Sequence, residues 1–156
     1  MRATGAEPVL IGWTEFVDLP DWGVKKLRAK IDTGARTSAL HVENIETLPR
    51  GYVRFDVVLH REKRNRHIHV RARITRRARV RSSTGHQDER LFVKTVLMLG
   101  TVRKEIEVSL VDREKMMYRM LLGREALQGP FLIDAGRRMV QQPKRKRKKS
   151  AAKKQR

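Results

Sequence analysis

The sequence predicts a mainly β protein, a small closed barrel with one or two short helices. Three observations predict it. Apolar runs rich in β-branched and aromatic residues recur at short intervals between Gly, Pro, Asn and Asp. One long segment alternates between apolar and basic residues, and only two brief stretches have helical character. A length of 156 residues with 39% hydrophobic content suits one domain with one core.

Taken in chain order, Val9–Trp13 and Leu27–Ile31 read as strands, the second with Leu27, Ala29 and Ile31 sharing a face. Tyr52–His60 is a third. From Arg66 to Arg81 the parity is explicit: Ile68, Val70, Ala72, Ile74, Ala78 and Val80 fall on one side. His67, His69, Arg71, Arg73, Arg77, Arg79 and Arg81 fall on the other. One face should pack while the other forms an arginine ladder, and Arg76, which breaks the apolar parity, marks with Thr75 a turn or bulge between two paired strands. Leu91–Leu99 and Glu105–Val111 are further strands. Met120-Leu121-Leu122-Gly123 ends another, followed by a short helix over Arg124–Gln128; Asp112–Met117 is the second helical stretch. No repeat of about 20 to 50 residues is visible, which argues against a solenoid.

Charge is the next signal. The 37 basic and 17 acidic residues give +20, more than solubility requires, and imply a polyanionic neighbour or substrate. Nine of the basic residues lie in 143–156, which holds no acid and almost no apolar side chain. That segment is expected to be a disordered basic tail, either a solvated extension or a contact to nucleic acid or the ribosome. The domain then spans 1–142, and its body still carries +11. With no cysteine there is no disulfide, thiol nucleophile or Cys-based zinc site, which fits a reducing compartment. Met1–Val9 lacks the pattern of a signal peptide, and no apolar run approaches the roughly 18 to 20 residues of a membrane span. A cytoplasmic protein with no membrane partner is expected.

The stretch Lys30-Ile31-Asp32-Thr33-Gly34-Ala35-Arg36-Thr37-Ser38-Ala39-Leu40 carries the chemistry. An apolar strand running into Asp32 holds a carboxylate at a rigid strand end. Thr33 can lock the turn by hydrogen bonding, and Gly34 permits close backbone approach while its N–H steadies the carboxylate. Aspartic protease chemistry needs two carboxylates sharing a proton, and Asp-Thr-Gly occurs once, so a symmetric dimer would supply one Asp32 from each chain.

Together with the later Leu121-Leu122-Gly123-Arg124, this block resembles retroviral-type aspartic proteases. More closely, Gly12-Trp13, Ala29–Leu40, Ser82–His86, Glu89-Arg90, Leu99-Gly100 and Arg119–Leu127 resemble a bacterial and archaeal retropepsin-like family often labelled ATP-dependent zinc proteases. The resemblance spans about Val9 to Asp134 and implies a retropepsin-like (acid protease) barrel acting as a homodimeric aspartic endopeptidase. Asp32 would be the catalytic carboxylate, Thr33 the residue that grips its counterpart in the partner, and Gly34 a backbone contact to bound peptide. Ala35 would line the same substrate cleft, and Gly85 would lie in a flap closing over substrate, or else in an ordinary hairpin loop. Members of that family resemble proteins encoded beside ATP-grasp ligases that add glutamates to a ribosomal protein, and the resemblance implies such a ligase as partner and a glutamate-extended or other acidic peptide as substrate.

This chain departs from the retroviral pattern at Arg36, where an acid usually follows Asp-Thr-Gly-Ala and pairs with the arginine of the later Gly-Arg. Arg124 must then find Glu125 or Asp134, or face the cleft, while Arg36 would select acidic substrate side chains. The zinc and ATP labels have no support in the residues: no His-Glu-x-x-His and no phosphate-cradling glycine motif occurs, so no metal and no cofactor is expected. His67 and His69 share a strand face and read as part of its basic surface, with metal binding the alternative. Two other classes compete with the protease: a basic barrel binding nucleic acid or ribosome, whose aromatics form no stacking cluster, and a silent barrel that regulates the ligase.

Overall fold

The computed structural model describes residues 7–59, 67–81, 85, 87–112 and 117–142. Ten strands fill most of this length: β1 (Val9–Ile11), β2 (Thr14–Leu19), β3 (Val24–Ile31), β4 (Ser38–Leu48), β5 (Tyr52–Val58), β6 (His67–Arg81), β7 (Gln87–Leu99), β8 (Val102–Val111), β9 (Met120–Leu122) and β10 (Phe131–Ile133). The α-helix among the described residues is α1 (Arg124–Leu127). Most of the predicted second helix, 113–116, lies outside the described residues, as do residues 82–84 and 86 around Gly85, expected as a flap or a hairpin loop, and 143–156, expected as a tail.

The strands close on themselves. Pairing runs β2-β3-β9-β4-β5-β6-β7 and returns from β7 to β2, while β8 pairs with both β7 and β4. A closed, mostly β barrel is thus what the chain forms. Closure leaves few open edges and lets alternate side chains of each strand point to one interior. Leu27, Ala29, Leu40, Val42, Val53, Val93, Leu97, Val108, Met120 and Leu122 are all fully buried there. No described helix is long and apolar enough to cross a membrane.

Three elements differ from expectation. Val9–Trp13 is not one strand: β1 ends at Ile11 and β2 starts at Thr14, because a Cβ on Gly12 would lie 2.4 Å from the Arg137 carbonyl oxygen, and the chain turns at that close approach. Thr75-Arg76 marks no turn between two strands. β6 runs on through it, and the register against β7 shifts between Ile74 and Arg76, so the parity break is a bulge in one strand of 15 residues. β5 stops at Val58, short of His60, which lies outside the described residues.

β1 and β10 form a separate parallel pair, Val9 opposite Phe131 and Leu10 opposite Leu132. The chain beyond β10 is held by Glu15, wholly buried on β2. Its carboxylate accepts the N–H groups of Gly12 (2.8 Å), Val140 (2.8 Å) and Gln141 (3.1 Å).

Candidate active site

Asp32 stands where β3 ends, and the loop 32–37 leads into β4. The two strands it joins are not neighbours, because β9 lies between them: it runs parallel to β3, Ile31 opposite Leu122, and antiparallel to β4, Ala39 opposite Leu121. The Asp32 N–H donates to the Leu122 carbonyl at 2.8 Å and extends the β3–β9 ladder by one rung. The carboxylate therefore projects from a backbone fixed on both sides of the rung that bears it.

Within the loop, the Gly34 N–H reaches the Asp32 Oδ1 at 3.1 Å, as expected from its place two residues on, and the Ala35 N–H donates to the Asp32 carbonyl at 3.2 Å. Asp32 is half-buried while Thr33 and Gly34 are exposed. The second wall is Gly123 and α1. Gly123 donates its N–H to the Ser38 Oγ at 3.0 Å, and a Cβ on it would meet the carbonyl oxygens of Thr37 at 2.4 Å and Ala35 at 2.9 Å. The Arg124 N–H donates to the Ala35 carbonyl at 2.8 Å and the Glu125 N–H to the Arg36 carbonyl at 3.0 Å. The opening N–H groups of α1 thus bind the loop instead of being left unsatisfied.

The Arg124 guanidinium pairs with neither Glu125 nor Asp134. It donates to the Thr33 carbonyl at 2.9 Å, so it supports the loop from behind. Glu125 is instead taken by Arg36, Nε to Oε2 at 3.4 Å, an exposed contact. The charge reversal at position 36 is thus answered by an acid one residue after the arginine that would have served it. Gly85 lies apart from this cluster, between β6 and β7, exposed and at φ 83°, a backbone that favours glycine. Asp32, Thr33, Gly34, Ala35, Arg36 and Arg124 are brought together; Gly85 belongs to a separate hairpin.

Two contributors escaped the sequence reading. Ser38 lies inside the motif block but had no role until Gly123 was placed against it. Lys104 on β8 donates its ammonium to the carbonyls of Glu125, Ala126 and Gln128 at 3.0, 3.0 and 3.1 Å, closing the far end of α1. Burial pushes that ammonium below its ordinary range. A lysine 20 residues upstream of the helix gives no local signal.

His67 and His69 do not stand on a purely basic face. His69 pairs through Nδ1 with the Asp56 carboxylate, and His67 lies 3.8 Å from both Glu43 and Asp56. Among the described residues no group of three or more His, Asp or Glu is arranged to hold a metal ion. A cleft of about 380 Å³ opens on this β4–β5–β6 surface, lined by Asn44, Glu46, Arg54, Asp56 and His69, and none of the Asp32 loop lines it.

Comparison with known proteins agrees with this architecture. The sequence pattern of a family described as RimB-like, retropepsin-like aspartic endopeptidase RimB, matches residues 10–144. A probable alpha-L-glutamate ligase of Shewanella pealeana is 37% identical over 130 residues, which cover 80% of this chain and 28% of that protein. A protein of the same name from Desulfotalea psychrophila is 33% identical over 128 residues, again 80% of this chain and 28% of its own length. The chain therefore spans a little over a quarter of the curated relatives it matches. The crystal structure of a protein of unknown function from Legionella pneumophila superposes with a TM-score of 0.70 at 25% identity, covering 86% of this chain and 99% of that one. With an Asp-Thr-Gly loop braced on a closed barrel and a family match over nearly all of its described length, this chain belongs to the RimB-like family of retropepsin-like aspartic endopeptidases.

Proposed function

We propose that the protein is an aspartic endopeptidase that works as a homodimer, with Asp32 of each chain forming one dyad. The observation that carries this reading is the Asp32 loop: a half-buried carboxylate on a rigid, doubly braced turn whose next two residues, Thr33 and Gly34, are exposed. In the dyad one Asp32 is ionised and its mate protonated, since two carboxylates that close cannot both hold charge. The pair draws a proton from water as it attacks the scissile carbonyl, then returns one to the leaving amine. Thr33 grips its counterpart, Gly34 meets the peptide backbone, and Ala35 lines the cleft. Arg36, exposed beside Glu125, gives the cleft a preference for acidic side chains, and Gly85 lies in the flap. Leu10 and Leu132, opposite one another on the β1–β10 pair and 38% and 51% exposed, supply apolar surface for association.

The substrate we favour is an acidic peptide, including a glutamate-extended protein, drawn by the body charge of +11. The test is intact-mass spectrometry of a glutamate-extended ribosomal protein, or a synthetic mimic, incubated with wild type and with Asp32→Asn, each with and without EDTA. Cleavage by wild type alone, insensitive to EDTA, is the expected result. No mass change from a dimer proven by sedimentation would exclude that substrate and count against the protease.

A second reading has its own support. The curated relatives are named glutamate ligases, so a barrel that binds and regulates a separate ATP-grasp ligase fits the same residues. It predicts that Asp32→Asn leaves the chain's effect on the ligase unchanged.

A further inference from the structure

Strand β6 carries a feature that the Asp32 loop does not use. On its outward face His69, Arg71 and Arg73 succeed one another at the two-residue repeat, and both arginines turn onto one aromatic ring. The guanidinium carbons of Arg71 and Arg73 lie 4.6 and 5.1 Å from the ring centroid of Tyr52 on β5. Neighbouring arginines are neutralised: Arg54 by Glu46, Arg76 by Glu107 and Arg77 by Glu89. Arg71 and Arg73 form no ion pair with a described acidic residue. The register even sets Arg71 directly across from Arg54, a like-charge pairing that sheets normally avoid.

Two exposed cations held by an aromatic ring and left without an acid are pre-ordered for an external anion. We propose that Tyr52, Arg71 and Arg73 form an anchoring site for an extended acidic peptide, separate from the Asp32 loop. An extended peptide presents every second side chain to one face at a repeat of roughly 6.6 to 6.8 Å, the repeat on which the two arginines are mounted. Carboxylates at positions i and i+2 can then each meet one guanidinium in the bidentate geometry that favours arginine over lysine. Single-stranded nucleic acid fits less well, because its affinity leans on bases stacking upon open aromatic faces, and the Tyr52 ring is already engaged by guanidinium. The site rests on the acidic-substrate reading above and gives it a location: substrate is held on the β5–β6 surface while another part of it is cut.

The test uses the full chain carrying Asp32→Asn, so that binding is read without turnover and a failure of the protease reading leaves it intact. Fluorescence anisotropy of a labelled decaglutamate is compared for this protein and for Arg71→Ala/Arg73→Ala and Lys25→Ala/Lys94→Ala on the same background. The arginine pair is expected to weaken binding about ten-fold or more, a loss of the size two direct contacts give. The lysine pair removes equal charge from β3 and β7 and is expected to have a several-fold smaller effect. Equal losses in the two variants would mean attraction by overall charge and would overturn the site. So would a larger loss for an oligothymidylate of matched charge, which would assign the surface to nucleic acid. Arg71→Gln/Arg73→Gln, with circular dichroism to verify the fold, repeats the measurement should the alanine pair unfold.

Discussion

Gly123 is required by what surrounds it. Its backbone is extended and any residue could adopt it, but a methyl group would press on the carbonyl oxygens of Thr37 and Ala35 from 2.4 and 2.9 Å. Those atoms belong to the loop that carries Asp32, so the strain would be relieved by moving it. Gly123→Ala is expected to destabilise the fold by about 2 kcal/mol, the scale of forcing a methyl into a packed site. Urea unfolding would measure this; an unchanged midpoint would mean the loop yields freely and is not braced. His41, wholly buried on β4, works on stability through its proton. Burial first and the Arg119 guanidinium second hold its pKa below the ordinary 6.5, against the carboxylates of Asp112 and Glu43. The unfolded chain therefore takes up this proton more readily than the folded one. The stability His41 contributes is complete above pH 6.5 and is lost as pH falls from there through the lowered folded value. Asp56 has the same sign further down: burial pushes it up, but hydrogen bonds from Asn44 and His69 and the charges of His69 and His67 outweigh burial. Its contribution is lost only as pH falls from the ordinary 3.8 through the lowered value. Stability should thus decline on acidification in two stages. His41→Gln is expected to flatten the first, in urea unfolding followed from neutral to mildly acidic pH; an unaltered slope just below pH 6.5 would exonerate His41.

Elements were legible where one face packs and the other meets water. The alternation in β6 survives a bulge: His69, Arg71, Arg73, Arg77 and Arg79 are exposed as the parity assigned, and Thr75 and Arg76 at the bulge are exposed as well. β2 and the start of β4 were not legible, because Val17, Leu19, Leu40 and Val42 share their buried positions with Thr14, Glu15, Ser38 and His41, polar residues that read as loop until their partners are known. The site divides in the same way. Asp32, Thr33 and Gly34 announce themselves because their contacts are local. The hydrogen bonds from Gly123 to Ser38 and from Arg124 to Thr33 span 85 and 91 residues, and nothing short-range encodes them. Glu15 shows what such a long-range contact does. It accepts N–H groups from Gly12 early in the chain and from Val140 and Gln141 late in it, and its Oε1 also lies 3.5 Å from the Gln142 amide nitrogen. A carboxylate with several donors in the interior is stable, whereas an amide in its place would turn a donor toward N–H groups. Glu15→Gln is expected to cost about 2 kcal/mol. It should also speed amide hydrogen exchange at Val140 and Gln141 more than in the β7–β8 core. Unchanged protection at those two residues would assign the anchoring of the C-terminal segment to the Trp13–Arg137 and Thr14–Met139 bonds instead.

At the scale of the whole molecule the decisive question is stoichiometry. The chain contains one Asp-Thr-Gly, and the chemistry proposed for it needs two carboxylates sharing a proton. A dimer with one Asp32 per protomer makes each active site a joint product, so a protomer carrying Asp32→Asn disables the site it shares. When wild type and Asp32→Asn are unfolded together and refolded at equal concentrations, random pairing leaves about one quarter of the symmetric dimers with both aspartates. Activity per total protein should therefore follow the square of the wild-type fraction as the mixture is varied. Independent sites would follow the fraction itself, falling only to half at the equimolar point. The two curves are furthest apart in absolute terms at that point, and the comparison needs no knowledge of the natural substrate, only of an acidic peptide that wild type cleaves. A linear curve would mean that one chain holds a complete site, and the paired-aspartate mechanism would have to be abandoned even if Asp32 proved essential. Mixing dimers that are already folded would give a linear curve through slow subunit exchange alone. Refolding the chains together removes that ambiguity, because partners are then chosen while all chains are equivalent.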